Sequence, residues 1–345
     1  MKHLLLAGCL ALTVPGSAQQ QNRTTIEGTW RADANNYWTR ANSERWISLQ
    51  LQYDDSNTGI GVPEHELPGL ADTRGDGPVH FNVRRDAGTF EFTGRMSSGR
   101  ASGDFHFAVD PSFASAMAKL GVGSLSDDDV WRFAVHDVSR EYVTAFRTAG
   151  YQLGAAELLK SRIHGATPEF AQQIKQQGLG KLDIDELVKM RIHGVTPDFI
   201  KAMRDAGYRD LPVDELVKLR IHGVSPEFIK SFADLGYKNL ALDDLVAMRI
   251  HGVSPEMVKE LNALGYKDLA IGDLIKMRIH GVTPEYIKQM RDAGYGGVKV
   301  DKLVEFRIHG VDAEFVRSAR AHGFSNLSAD DLVDLSIHAR KWLRS

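Results

Sequence analysis

Apolar residues follow two different rhythms along the chain, and the change near Asp110 divides it. Between Ile26 and Val109 the period is two, clearest in Phe81/Val83, Phe90/Phe92 and Phe105/Phe107. This alternation predicts half-buried strands at 26–33, 46–53, 79–85, 89–95 and 102–109, with Asp86-Ala87-Gly88 and Ser98-Gly99 as hairpin turns. The Gly- and Pro-rich stretch 54–78 reads as a long loop with a short helical turn at 63–67. A segment this short makes a small antiparallel sheet, with too few strands for a ligand-enclosing eight-stranded barrel, so its aromatics read as core.

From Asp110 onward the apolar spacing is three and four, inside a larger period. Eight copies of one pattern end on His136, His164, His193, His222, His251, His280, His309 and His338, at intervals of 29 residues except the first, which is 28. One interior copy opens Val195-Thr196-Pro197-Asp198-Phe199. Thr196 is an N-cap, Pro197 suits the first helical position, and Asp198 opposes the positive end of the helix dipole. Phe199, Met203 and Ala206 share a face with Ile200 at its edge, and Gly207-Tyr208 closes the helix as a Schellman stop. The second half, Val213 to His222, is a shorter helix stopped by Gly223, with Val213, Leu216, Val217 and Ile221 on one face and Lys218 pointing outward. Such a hairpin buries too few apolar side chains to offset the entropy of ordering its backbone, so stacking is obligatory.

The predicted fold is α+β and mainly α. A small antiparallel β domain (19–109) precedes an α-solenoid of eight helical hairpins (110–345), about 80 Å long at about 10 Å per unit. The β segment can cover the open side of the first helix, Asp110 to Gly121. Ala339 replaces the stopping glycine in the last copy, so the final helix can run on through Arg340-Lys341-Trp342-Leu343 as a terminal lid.

Six copies carry Arg-Ile-His, with Arg162, Arg191, Arg220, Arg249, Arg278 and Arg307; Ala134 and Ser336 stand at that position in the first and last copies. By helical angle the arginine lies amid the apolar face, where an unpaired charge is costly. The expected partners are acids that open the partner helices: Glu141, Glu169, Asp198, Glu227, Glu256, Glu285 and Glu314. Restriction of arginine to interior copies points to a bond between neighbouring hairpins. The eight histidines read as helix C-terminal caps touching the last carbonyls. A metal ladder is disfavoured, because stacked helices lie about 8–10 Å apart, too far for equivalent histidines to share an ion, and no second recurring ligand is present. Titration near neutrality would also suit a pH sensor.

The chain begins Met1-Lys2-His3, then an apolar run from Leu4 to Val14, then Pro15-Gly16-Ser17-Ala18. This reads as a secretory signal (1–18) cut after Ala18, placing the protein in the periplasm or outside the cell. Leu6-Ala7-Gly8-Cys9 resembles a lipoprotein box, but the apolar run continues past Cys9 and few residues precede it, so simple cleavage is preferred. Cys9 is the only cysteine, so the mature chain is expected to have no disulfide, thiol chemistry or cysteine-bound zinc. No other stretch is apolar enough to span a bilayer. The 42 basic and 45 acidic residues give a net charge of −3. Acids and bases alternate within each repeat with no basic stripe, which argues against nucleic-acid binding.

The copies reading His-Gly-Val-Thr/Ser-Pro-Glu-Phe/Tyr, followed by Ala-Gly-Tyr or Leu-Gly-Tyr, resemble a helical repeat of bacterial secreted proteins of unknown role. They are also similar to C-terminal extensions of BlaR/MecR-type membrane metallopeptidases. Gly103 to Phe107 and Phe133 to Val138 resemble the entry to that array, and the likeness extends over roughly 88–345. The peptidase itself is absent, with no His-Glu-x-x-His, so the resemblance implies no catalytic residue, metal or cofactor. It implies a sensory or interaction module at the cell envelope.

The expected function is therefore non-enzymatic: a repeat surface that binds an envelope protein or peptide. Outward residues that differ between copies, Lys201, Arg204 and Arg209 against Lys230, Asp234 and Lys238, would carry specificity. Two alternatives stand beside it. One is small-molecule binding or hydrolysis centred on the loop 54–78, with Glu64, His65, Glu66 and Asp76 as acid–base groups. The other is a purely architectural spacer.

Overall fold

The computed structural model describes residues 25–39, 44–67 and 76–343. The signal segment with Cys9 and Ala18 lies outside the described residues. The architecture is α+β and mainly α, a six-stranded antiparallel sheet followed by 16 helices in regular series.

The strands are β1 (Thr25–Thr39), β2 (Arg45–Tyr53), β3 (Ser56–Pro63), β4 (Gly77–Arg85), β5 (Gly88–Ser97) and β6 (Arg100–Val109), in the spatial order β3-β2-β1-β6-β5-β4. Five were expected. The sixth, β3, falls in the stretch read as loop: its Gly59 and Gly61 hide the alternation of Ile60 and Val62, both buried against the sheet core. The helical turn Glu64–Glu66 follows it. On the inner face Trp30 packs edge-on against Phe81 and Phe92, and its indole N–H donates to the Thr93 carbonyl at 3.0 Å.

The helices alternate. The odd-numbered ones open each hairpin: α1 (Phe113–Lys119), α3 (Arg140–Thr148), α5 (Pro168–Ile174), α7 (Pro197–Asp205), α9 (Pro226–Ala233), α11 (Pro255–Ala263), α13 (Pro284–Asp292) and α15 (Ala313–Ala321). The even-numbered ones close it: α2 (Asp127–His136), α4 (Ala155–His164), α6 (Ile184–Ile192), α8 (Val213–Ile221), α10 (Leu242–Ile250), α12 (Ile271–Ile279), α14 (Val300–Ile308) and α16 (Ala329–Leu343). α16 runs past Ala339, as the missing glycine predicts. Thr196, Ser225, Ser254 and Thr283 each accept the amide three residues on, with proline at the first helical position. The Schellman bond is present too, Tyr208 N to Met203 O at 2.9 Å.

The chain forms two compact units, one ending at Ile163 and one beginning at His164, so the division falls inside the repeats and not at Asp110. In the first unit the reason is Trp131 of α2, which packs on Tyr53, Phe90, Phe105 and Phe107 and so completes the core of the sheet. Asp86 in the β4–β5 turn also receives the Arg140 backbone N–H at 2.6 Å and its Nε at 2.9 Å, fastening the turn to the start of α3. In the second unit each even helix packs on the next, from α6 to α16, and α7 on α9, α11 on α13 and α13 on α15.

Burial alone would raise the pKa of Asp86, but the Arg140 hydrogen bonds and charge outweigh it and hold the pKa below the ordinary carboxylate value. A carboxyl depressed in the folded state stabilises above its unfolded value, near pH 3.9, and loses that contribution as pH falls through the folded one. Asp86→Asn is therefore expected to lower the thermal midpoint at pH 7, with the deficit relative to the unaltered chain narrowing between pH 5 and pH 2. A deficit independent of pH would contradict the ion pair.

Candidate functional site

The even helices are about nine residues long, and the last four carbonyls of any helix have no partner within it. The turn after the helix meets part of this deficit, and the arginine of the following hairpin reaches back to the carbonyl of the histidine or glycine that closes it. Arg249 Nε donates to Gly223 O at 2.7 Å, Arg278 Nε to His251 O at 3.3 Å and Arg307 Nε to His280 O at 3.4 Å. In the first unit Arg162 Nε donates to His136 O at 3.0 Å, and its Nη2 meets Asp137 at 2.6 Å. In the last copy Ser336 supplies a hydroxyl to His309 O at 2.5 Å instead. The first copy has no helical hairpin before it, and buried Ala134 stands there. Five of the six guanidiniums also cover a ring from their own hairpin: Arg162 on Tyr142, Arg191 on Phe170, Arg220 on Phe199, Arg249 on Phe228 and Arg307 on Tyr286, at 4.4–5.1 Å, whereas Arg278 has Met257 at the ring's place.

The expected acid partners are thus corrected. Among the described residues no ion pair joins these arginines to Glu141, Glu169, Asp198, Glu227, Glu256, Glu285 or Glu314; Arg162 alone meets an acid, and it is Asp137. The acids stay in the first turns of the odd helices, where the dipole favours them. The acceptor is backbone, which leaves no signature in a sequence. The glycine after each histidine gains a second role: a Cβ on Gly252, whose φ is +68°, would sit 3.1 Å from Arg278 Nη2.

The stitching has further strands. Tyr208, Tyr237, Tyr266 and Tyr295 donate their hydroxyls to Leu240, Leu269, Val298 and Leu327 carbonyls at 2.6–3.0 Å, always 32 residues ahead. Lys189 pairs with Asp214, Lys218 with Asp243 and Lys276 with Asp301; Ala247 and Gly272 replace both members of the missing rung. Of the variable outward residues, Arg204 is engaged by Gln177 O and Lys201 by Asp205.

The histidines behave differently from the expectation. His193, His222, His251, His280 and His309 cap their helices by their backbone N–H, onto the carbonyl four residues back at 2.9–3.2 Å. Their imidazoles have no hydrogen-bond partner among the described residues. Only the His338 ring touches a helix carbonyl, Asp334 O at 2.8 Å. His136 and His164 close α2 and α4. Burial, then Arg132 and Arg162, lower the His136 value from the ordinary one. The residue before each histidine is also corrected. Ile221 was expected in the core, yet that place belongs to Leu219, and Ile192, Ile221, Ile250, Ile279, Ile308 and Ile337 are 51–58 % exposed.

At the end of each even helix of the second unit an Ile-His pair combines an exposed apolar side chain with an imidazole. The pairs stand on successive, mutually packed helices and form one edge of the unit. The loop residues offered as acid–base groups do not converge. His65 meets Glu44 at 2.9 Å, Glu64 meets Arg45 at 3.2 Å, Glu66 meets Arg85 at 3.6 Å, and Asp76 accepts the Ser98 amide at 2.8 Å. No described helix is long and apolar enough to cross a membrane. Comparison with known protein families and with curated proteins gives no match in either case.

Gly252→Ala is expected to cost about 1–2 kcal/mol, the strain of a left-handed non-glycine residue, with the guanidinium displaced in addition. Ile250→Ser, on the exposed edge, is expected to change stability by less than about 0.5 kcal/mol. Urea unfolding of both variants checks the pair, and equal losses would mean that the edge is part of the core.

Proposed function

We propose that the chain is a non-enzymatic binding protein whose Ile-His edge docks an extended segment of a partner polypeptide. The observation that carries this reading is the row of six isoleucines in the second unit, Ile192 to Ile337, each more than half exposed, whereas the first copy has buried Val135 at that place. Exposed apolar rows cost solubility and mark interaction surfaces. A spacer needs no such row, which weighs against the purely architectural alternative. The dispersed pairing of His65, Glu64, Glu66 and Asp76 weighs against a hydrolytic site in the loop.

The period of the row favours one backbone form for the ligand. Stacked helices lie about 8–10 Å apart. A polyproline II segment returns a side chain to the same side every third residue, about 9.3 Å on. A β-strand repeats at about 6.7 Å, and two turns of α-helix advance about 10.8 Å. The partner segment is therefore extended, with an apolar side chain at every third position and carbonyls free to accept from the imidazoles beside each isoleucine. The secretory start read in residues 1–18 would place this encounter at the cell envelope, in keeping with the likeness to repeats on BlaR/MecR-type metallopeptidases.

The test is selection from an unbiased library of displayed 18-residue peptides against the whole chain, followed by anisotropy titration. Selected peptides should carry an apolar residue at every third position, and Ile221→Asp/Ile250→Asp/Ile279→Asp should weaken them at least tenfold while helicity by circular dichroism is unchanged. Peptides that bind the triple variant equally well, or an edge occupied instead by a second copy in sedimentation experiments, would overturn the reading.

A further inference from the structure

The outer face of the β-sheet carries chemistry independent of the repeat edge. Because the strand period is two, Gln50, Arg31, Ser102 and Arg95 form one lateral row across β2, β1, β6 and β5: Arg31 pairs with Gln50 and with Ser102, and Ser102 with Arg95. Neighbouring strands are about 4.8 Å apart, so the two arginines rise about 10 Å from each other with Ser102 between them. One row further along, Arg100 lies opposite Ser97 across the hairpin. These side chains, with Ser48, line a cavity of about 630 Å³.

The charges in this cavity are unbalanced. Arg31 and Arg95 have neither a hydrogen bond nor an ion pair among the described residues. Arg100 has Asp33 at 3.7 Å, and Asp33 is the one acid on the described wall. Three guanidiniums therefore face one carboxylate on the wall, with a second, Asp76, behind Ser97 at 3.3 Å, in a chain whose acids outnumber its bases. The opposite end of the same face has the reverse sign. There Glu27 and Glu91 hold His106 and His80 at 3.3 and 2.9 Å, with Asp104 beside them. Such a gradient draws an anion to one end and repels it from the other. Guanidiniums suit planar or tetrahedral oxyanions, which they grip with paired N–H donors. The neutral wall is made of polar groups: the Ser102 hydroxyl, the Ser97 hydroxyl, which donates to Asp76 Oδ2 at 3.3 Å and keeps its acceptor capacity, and Gln50, whose amide donates to Ser48 Oγ at 2.9 Å. A wall of that kind complements hydroxyl groups. The volume lies within the range of small-molecule sites, about 300–1,000 Å³.

We propose that this face of the sheet binds an acidic sugar, its carboxylate or phosphate held between Arg31 and Arg95 and its hydroxyls by the serine and glutamine side chains around them. Arg100, already engaged by Asp33, sets the rim. The site stands whether or not the Ile-His edge docks a peptide.

Calorimetric titration of the whole chain with glucuronate, glucose 6-phosphate, glucose and inorganic phosphate tests it. At least one charged sugar should bind, glucose should not, and inorganic phosphate should bind at least tenfold more weakly than the better charged sugar. The arm that binds identifies the oxyanion as carboxylate or phosphate. Arg31→Gln/Arg95→Gln should reduce that affinity at least tenfold, whereas Arg204→Gln, far along the chain, should leave it unchanged. Thermal midpoints of both variants confirm that they fold. Rising sodium chloride should weaken binding, as charge recognition requires. Failure of both charged sugars, equal affinity for the double variant, or phosphate binding as tightly as the sugars would overturn the proposal.

Discussion

Short helices leave a large share of their carbonyls without a partner, and this chain is organised around that deficit. In α8 the closing turn meets much of this deficit, since the His222, Gly223 and Val224 amides donate to the Lys218, Arg220 and Leu219 carbonyls; what is left lies at and just past the helix end. These carbonyls lie at the surface, where water could serve them, and the next hairpin supplies an arginine there instead. Arginine is suited to the task, because its planar fork can address two acceptors and its charge complements the negative end of the helix. The contact therefore does two things at once. It completes the helix that has just ended, and it fixes the next hairpin on top of it. The glycine that follows each histidine leaves space for the guanidinium, and the ring beneath it sets its height.

Other repeated polar contacts follow the same logic in opposite directions. The arginine looks back 26 or 27 residues, whereas the tyrosine hydroxyl looks forward 32. Each hairpin is thus held to both neighbours by bonds to backbone, which tolerate changes of side chain next door. The lysine–aspartate rungs behave otherwise, since they need both partners: Ala247 and Gly272 replace both, and where Glu305 replaces the lysine Asp330 is taken up by Lys302. The isoleucine and histidine side chains at the ends of the even helices of the second unit take no part in the bonds between hairpins.

Much of the fold was legible before any coordinates. Helix starts at Thr196 and Ser225, the glycine stops and the hairpin turns each have a local chemical cause, and that cause is written in neighbouring residues. What was hidden depended on relations between distant residues. β3 looked like loop because its glycines break the alternation, and only pairing with β2 makes it a strand. The arginines were assigned to acids because charge is visible in a sequence, whereas a carbonyl at a helix end is not. Ile221 was placed inside by helical angle, but angle does not say how far a face stays covered, and the core ends at Leu219. The row formed by Arg31, Ser102 and Arg95 exists only through strand register.

The central claim is that arginine couples one hairpin to the one before it. Amide hydrogen exchange of Arg249→Met, followed by mass spectrometry, addresses it most directly. In an array governed by nearest-neighbour interfaces, protection should fall together in α8 and α10, on both sides of the altered bond, and stay unchanged in α14. Faster exchange confined to the last turn of α10, with α8 protected as before, would contradict it.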